Sequence, residues 1–312
     1  MLKQILEIED LLDGMVTGNE VADFLRAHGA EAVTVFPVEG SRGHTDFVRV
    51  SIAGTNGKSM GGGELTLGVI GRLGGIGARP ERIGMVSDAD GAIGALAVAL
   101  KLANMQKRGD QLPGDVVICT HVCPTAPTLP HEPVPFMNSP VDMGTLNEYE
   151  VTREMDAILS VDATKGNSIL NSRGIAITPT VLNGYILPVS LELLQLESYC
   201  TGMLPKVLPL SQYDITPYGN GLTHINSIMQ PCVAADVPVV GVAVTSQVAI
   251  PGCATGTCQE TDVRDAAVFC IEVAKAMSRG LTLFYSSEEY SHAVALYGKL
   301  AHFKKDGGDG LA

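Results

Sequence analysis

SDADGAIGALAVALKLANMQKRGDQLPGDVVICTH, residues 87–121, is the stretch that decides the fold. Its first part predicts a helix over 92–109. The segment opens after Asp90-Gly91, runs through Ala, Leu and Val, and closes on Lys107, Arg108 and Gly109. Basic residues and a terminal glycine suit a helix C-terminus. Its second part, DVVICT (115–120), is a β-branched run bounded by turn residues, the pattern of a buried parallel strand. Helix followed by strand is the repeating unit of a parallel sheet. The same alternation recurs outward in both directions. AVTVF (32–36), FVRVSI (47–52), AILSVD (157–162) and VPVVGVAV (237–244) read as strands. The apolar period of residues 1–28, LPVSLELLQLESYC (187–200) and DVRDAAVFCIEVAKAMSRG (262–280) read as helices. The expectation is an α/β three-layer sandwich with a mostly parallel central sheet, one domain over 1–312.

Two stretches fall outside that alternation. Residues 53–85 carry a dense glycine series and read as a loop or small insertion, non-helical in its first third. Residues 123–140, CPTAPTLPHEPVPFMNSP, are proline-rich, hence extended, and are expected to lie over a site or an interface.

Composition narrows the function. The 312 residues carry a formal charge of −13, no Trp and only 5% aromatic residues. Such a surface repels phosphate backbones and anionic lipid and offers few stacking platforms, which excludes nucleic acid and membrane as partners. It suits a metal cation or a substrate with a free amine, or serves solubility alone. No apolar run approaches the ~20 residues of a membrane span. The acidic, amphipathic start is unlike a signal peptide. Seven cysteines, an odd number, scattered through apolar runs, point to a reducing compartment. A cytoplasmic enzyme is expected.

Several strand ends finish in side chains that bind metals or move protons. Asp88 precedes the 92–109 helix, His121 closes DVVICTH, and Asp162 closes AILSVD. His44 and Asp46 stand at the mouth of another strand, and Asp214 and His224 lie in the polar loop QYDITPYGNGLTHIN (212–226). In parallel sheets the carboxyl ends of strands gather at one edge, where ligands bind. Carboxylates mixed with imidazoles suit zinc or manganese. The candidate metal ligands are therefore His44, Asp88, His121, Asp162 and His224. His121, Asp46 and Asp214 are the candidate proton-moving or orienting groups. Each also has a plain structural reading, such as a helix cap for Asp88 or a turn bond for Asp162. Cys253 and Cys258 in GCATGTC read as ligands, a redox pair or tight-loop residues.

TGNEV (17–21), GHTD (43–46), SDADGAIGALAVALKLA (87–103), VVICTHV (116–122) and LSVDATKGN (159–167) follow an order that resembles the zinc-dependent aminopeptidase clan, of the tetrahedral and glutamyl type. The resemblance implies His44, Asp88 and Asp162 as ligands, Asp88 bridging two metals and Asp46 orienting an imidazole. It also implies self-association and a small-molecule or peptide substrate. Two departures stand out: Thr120-His121 replaces the clan's paired Glu, and PGCATGTCQE (251–260) occupies the place of its last His. GTNGKS (54–59), GRLGGIGARPERIG (71–84), SDADGA (87–92), THVCP (120–124), TKGN (164–167) and DITPYGNGL (214–222) also resemble an uncharacterised bacterial family often encoded beside peptide-transport genes. That family has no established reaction.

IAGTNGKS (52–59) resembles the phosphate loop of the Mur-ligase and folylpolyglutamate-synthase family. There Gly54, Thr55, Asn56, Gly57 and Lys58 would cradle ATP phosphates and Ser59 would hold Mg²⁺. MGGG (60–63), which follows, is a poor helix start. The expected function is a metal-dependent hydrolase of a small peptide, amide or amino-acid derivative. The alternatives are an ATP-using ligase and a non-catalytic small-molecule binder.

Overall fold

The computed structural model describes residues 1–132, 134–164, 166–248, 255–256 and 258–304. The chain opens with α1 (Leu2–Leu12) and α2 (Gly18–Ala27), then forms a hairpin of β1 (Ala32–Gly40) and β2 (Gly43–Ile52). β3 (Leu67–Gly71), α3 (Asp90–Gln106) and β4 (Val116–Val122) follow. A small outlying hairpin, β5 (Thr128–Leu129) and β6 (Phe136–Met137), leads into α4 (Met143–Glu150) and β7 (Ala157–Thr164). β8 (Gly174–Ile177), β9 (Val181–Leu182) and β10 (Tyr185–Ile186) precede α5 (Leu191–Thr201). The last elements are α6 (Pro231–Ala234), β11 (Val239–Thr245), α7 (Glu260–Ala276) and α8 (Ser287–Tyr297).

The main sheet runs β1-β2-β4-β3-β7-β11-β9-β10, with β8 also paired to β11. Its centre, β4-β3-β7-β11, is parallel. The β1–β2 hairpin adds antiparallel strands on one side, and β8 to β10 add them on the other. The fold is thus α/β, with a mixed sheet whose core strands are parallel. Successive residues of a strand face opposite sides, and β7 shows both faces buried. Leu159 and Val161 join the core packed under α1, α2, α3, α5 and α7. Ile158 faces Ile215, Ile228 and Met229, which belong to the segment between α5 and β11. Among the described residues no helix is long and apolar enough to cross a membrane.

Each anticipated helix forms for the reasons its sequence offers. Thr17 caps α2 through a reciprocal box with Glu20, and Ser190 caps α5. α3 is buried on nearly all sides, because the sheet, α1 and α7 enclose its Ala-rich surface. The expected helix at 262–280 is α7 plus a 3-10 turn, Met277–Arg279. β11 is an interior strand with every residue buried.

β3 is the main addition to the sequence reading, because it lies inside the glycine series yet forms the middle of the sheet. Its glycines mark close approaches. A Cβ on Gly68 would stand 2.4 Å from the Met155 sulfur, and one on Gly71 would stand 2.5 Å from the Gly91 carbonyl oxygen. The first third of the series is non-helical apart from a single 3-10 turn, Lys58–Met60. The proline-rich stretch carries the β5–β6 hairpin. Its Cys123, Ala126 and Met137 pack on Ala78 and Val86.

Candidate functional site

The carboxyl ends of the parallel strands meet the start of α3. Gly91 makes that approach possible: a Cβ there would fall 2.4 Å from the Arg72 carbonyl oxygen and 2.6 Å from that of Val161. Asp88 sits one turn earlier, in the 3-10 turn Ser87–Ala89. The Ser87 amide donates to the Thr255 carbonyl at 2.7 Å, which anchors this turn to the segment before α7. Asp162 projects from β7 on the face of Ile158 and Ser160. Both acids are buried, Asp88 to 3% and Asp162 to 2% exposure. Burial drives the Asp162 carboxyl well above the ordinary carboxylate range, and the Asp88 charge pushes it further. The hydroxyl of Ser227 donates to Asp162 Oδ2 at 2.9 Å. The neighbouring Asn226 amide donates to Thr164 Oγ1 at 2.5 Å. The segment before α6 is thereby fastened over the pair.

Arg72, the residue after β3, supplies positive field to this face. Its side chain is fully buried. Nη1 lies 3.2 Å from Glu150 Oε2, and Nη2 donates to Asn147 Oδ1, so α4 holds the guanidinium. Burial lifts the Glu150 carboxyl to about 7, against the opposing pull of Arg72. The Arg72 charge also works against the rise at Asp162.

His121 is on the same face but is structurally occupied. Its Nε2 accepts the Gly74 amide at 2.9 Å, so its proton resides on Nδ1. Nδ1 then donates to Thr45 Oγ1 at 2.7 Å, and Thr45 passes its own proton to the Val122 carbonyl. Burial, assisted by Arg72, holds the imidazole down to about 3. Neither nitrogen is available as the ligand or proton carrier expected from the sequence.

The other expected residues lie elsewhere. His44 and Asp46 alternate with Thr45 on β2 and therefore face the opposite side, toward α2. Asp46 Oδ2 accepts the Gly18 amide at 2.7 Å and its Oδ1 holds His44 Nε2 at 2.8 Å. That imidazole is oriented by a carboxylate, but at a helix start rather than beside Asp88. Asp214 accepts from the Ser211 amide and hydroxyl and from the Ile225 amide, bracing the loop that carries Ser227. His224 contacts Thr216 and its ring lies tilted against Tyr218 in the same loop. Asp46, Asp214, His44 and His224 thus hold structure rather than join the carboxylate pair.

The 54–59 loop closes on the chain's own carboxylates. Asp115 accepts from the Gly54 amide at 2.8 Å, the Ser59 amide at 2.8 Å and the Ser59 hydroxyl at 2.8 Å. Lys58 Nζ binds both oxygens of Asp156 at 2.6 Å. Asp115 and Asp156 precede β4 and β7, so this loop lies at the amino edge of the sheet, opposite Asp162. Of Gly54, Thr55, Asn56, Gly57, Lys58 and Ser59, the residues expected to cradle ATP, Gly54, Lys58 and Ser59 are thus bonded to the chain's own carboxylates.

Cys253 lies outside the described residues. The Cys258 thiol donates to Glu9 Oε1 at 3.3 Å, and burial with the nearby Asp90 and Glu9 charges drives it far up. That environment favours the protonated thiol over the thiolate that a ligand or nucleophile requires. Among the described residues, no three His, Cys, Asp or Glu side chains come together as a metal would require.

Sequence reasoning passed over Arg72, Glu150, Asn147 and Ser227. Arg72 carried one local signal, a lone cation closing the apolar run LGVIG (67–71).

The model of the DUF1177 family, described as a protein of unknown function, matches residues 37–307. No curated protein matches the chain. Among solved structures, a cytosol aminopeptidase from Coxiella burnetii superposes with a TM-score of 0.52 at 13% identity. The match covers 87% of this chain and 68% of that one. The likeness is one of fold: an aminopeptidase-like arrangement of sheet and helices.

Proposed function

The chain belongs to the DUF1177 family of unknown function, and we propose for it a hydrolase of a small peptide, amide or amino-acid derivative, worked by the Asp88–Asp162 pair. The observation that carries this reading is Asp162 itself. It is a buried carboxyl at the ligand-binding edge of a parallel sheet, bearing on a second buried carboxyl, within an aminopeptidase-like fold.

Two like charges in a poorly solvated site do not both ionise at neutral pH, so the pair shares a proton. Burial and the Asp88 charge keep the proton on Asp162, against the opposing pull of the Ser227 hydroxyl, and Asp88 serves as the base. In hydrolysis, water adds to the scissile carbonyl carbon and its proton passes to Asp88. The C–N bond then breaks, and the departing nitrogen takes the proton from Asp162. Arg72 stays fixed on Glu150 and Asn147 and keeps the centre from accumulating unbalanced negative charge. Because both acids are buried, substrate entry requires the segment carrying Asn226 and Ser227 to swing away.

Among the described residues no third His, Cys, Asp or Glu joins Asp88 and Asp162, because His121 is held by Gly74 and Thr45 and His44 and His224 lie elsewhere. Zinc sites take three or four protein ligands, largely nitrogen or sulfur, which this donor set does not supply. Manganese accepts oxygen donors, and Asp88 and Asp162 are the residues that would hold it.

Release of primary amine from a panel of amino-acid amides and dipeptides tests the proposal. The protein should cleave at least one class, retain that activity after dialysis against a chelator, and lose roughly 10²–10⁴-fold with Asp162→Asn. Cleavage of none refutes the reading. Activity abolished by the chelator and restored by zinc or manganese refutes the acid–base pair in favour of a metal centre.

A further inference from the structure

A second concave site lies at the far edge of the sheet, away from the carboxylate pair. β9 meets β11 at Val239, the start of that strand, whereas Asp162 pairs with Ala243 further along it. Between β10, the start of α5 and α8 opens a cleft of about 550 Å³. That volume is within the range of small-molecule sites.

Three tyrosines shape it. Tyr290 packs edge-on against Tyr185 and against Tyr285, at 87° and 85° with centroids 5.8 Å apart in both pairs. The Tyr185 hydroxyl donates to the Gly298 carbonyl, with the Ala293 carbonyl 3.3 Å away, which fixes its ring. Burial, then the neighbouring Tyr290, raises the Tyr285 phenol, which favours its neutral form. Ile186, Leu187, Val189 and Phe284 give the wall an apolar part, Ser190, Thr282 and Ser286 add hydroxyl-bearing residues, and Leu191 stands among the lining residues with 74% of its surface exposed.

Among the described residues, the charged side chains that line the cleft have one sign: Glu192 and Glu289 line it, and no Lys, Arg or His does. Two helix starts point here, a geometry that alone would suit an anion. Both are already satisfied: Ser190 accepts the Leu193 amide and Ser286 the Glu289 amide, and Glu192 and Glu289 occupy the first turns. Glu192 is further paired to Arg279 at 3.1 Å, leaving Glu289 as the carboxylate for a ligand. Aromatic faces beside a carboxylate, with apolar side chains alongside, match a cation that carries a hydrocarbon group.

We propose that the cleft formed by Tyr185, Tyr285, Tyr290 and Glu289 binds an organic amine with a short apolar tail, separately from the Asp88–Asp162 centre. Titration of the whole chain with phenethylamine, phenethyl alcohol and phenylacetate, followed by calorimetry, tests it. The amine should bind saturably at one site, with the alcohol weaker and the acid weakest. Tyr290→Leu and, separately, Glu289→Gln should each weaken the amine about 2- to 30-fold. Glu289→Gln is an exposed change that preserves the fold. Equal binding of amine and acid, no binding of the amine, or amine affinity unchanged in Glu289→Gln and Tyr290→Leu would each overturn the proposal.

Discussion

Replacing Asp162 with Asn should stabilise the protein, and by an amount that grows with pH. The amide keeps the shape of the carboxylate and still accepts the Ser227 hydroxyl, while removing the charge that burial and Asp88 disfavour. Asp162 is raised in the folded state, so between its unfolded value near 3.9 and its folded value the native protein holds one more proton than the unfolded chain. Wild-type stability therefore falls across that window by about 1.4 kcal/mol per pH unit, whereas the variant has no such slope from this position. Below pH ~4 both forms of the wild-type residue are protonated, and the two proteins should differ little. Unfolding entropy of about 2.1 cal/mol/K per residue over 312 residues gives about 0.65 kcal/mol/K, so each pH unit corresponds to about 2 °C in Tm. Thermal melts by circular dichroism at pH 4, 5 and 6 suit a chain without Trp. A constant Tm difference across that series, or a variant less stable throughout, would show Asp162 ionised and well paired in the fold, and would refute the reasoning.

Arg72→Met leaves Asn147 and a protonated Glu150 buried without their partner and should cost about 1–3 kcal/mol in urea unfolding at pH 7, part of which Glu150→Gln in the same chain recovers. His121→Phe orphans the Gly74 amide and should cost about 1–3 kcal/mol, with no change in the metal content of the purified protein. Lys58→Met breaks a partly exposed pair with Asp156 and should cost less than about 1 kcal/mol, and ATP should raise the Tm of neither protein.

What could be read from the chain was what local chemistry decides. Capping residues, alanine-rich periodicity and β-branched runs located α3, α7, β4, β7 and β11, because each forms mostly from its own sequence. β3 was hidden because its glycines are dictated by distant partners, Met155 and Gly91, that only the assembled sheet reveals. Asp88 and Asp162 were legible as acids at a helix entry and a strand end, positions that parallel sheets bring to one edge. His121 shared that signal, but the Gly74 amide and Thr45 hydroxyl that consume its nitrogens come from other strands and loops. The Arg72–Glu150 pair joins β3 to α4, so neither residue announces the other in the sequence. The contacts of the 54–59 loop were hidden for a similar reason, since Asp115 and Asp156 reach it from the starts of β4 and β7.

A double-variant cycle on hydrolysis tests most directly whether Asp88 and Asp162 act as one centre. Rates for the wild type, Asp88→Asn, Asp162→Asn and the double variant are measured on whichever amide or dipeptide the protein cleaves. Residues that work as a unit lose nearly everything at the first substitution, so each single variant should fall about as far as the double. Losses that multiply, or an Asp88→Asn protein that retains its rate, would contradict the pair as the reacting centre.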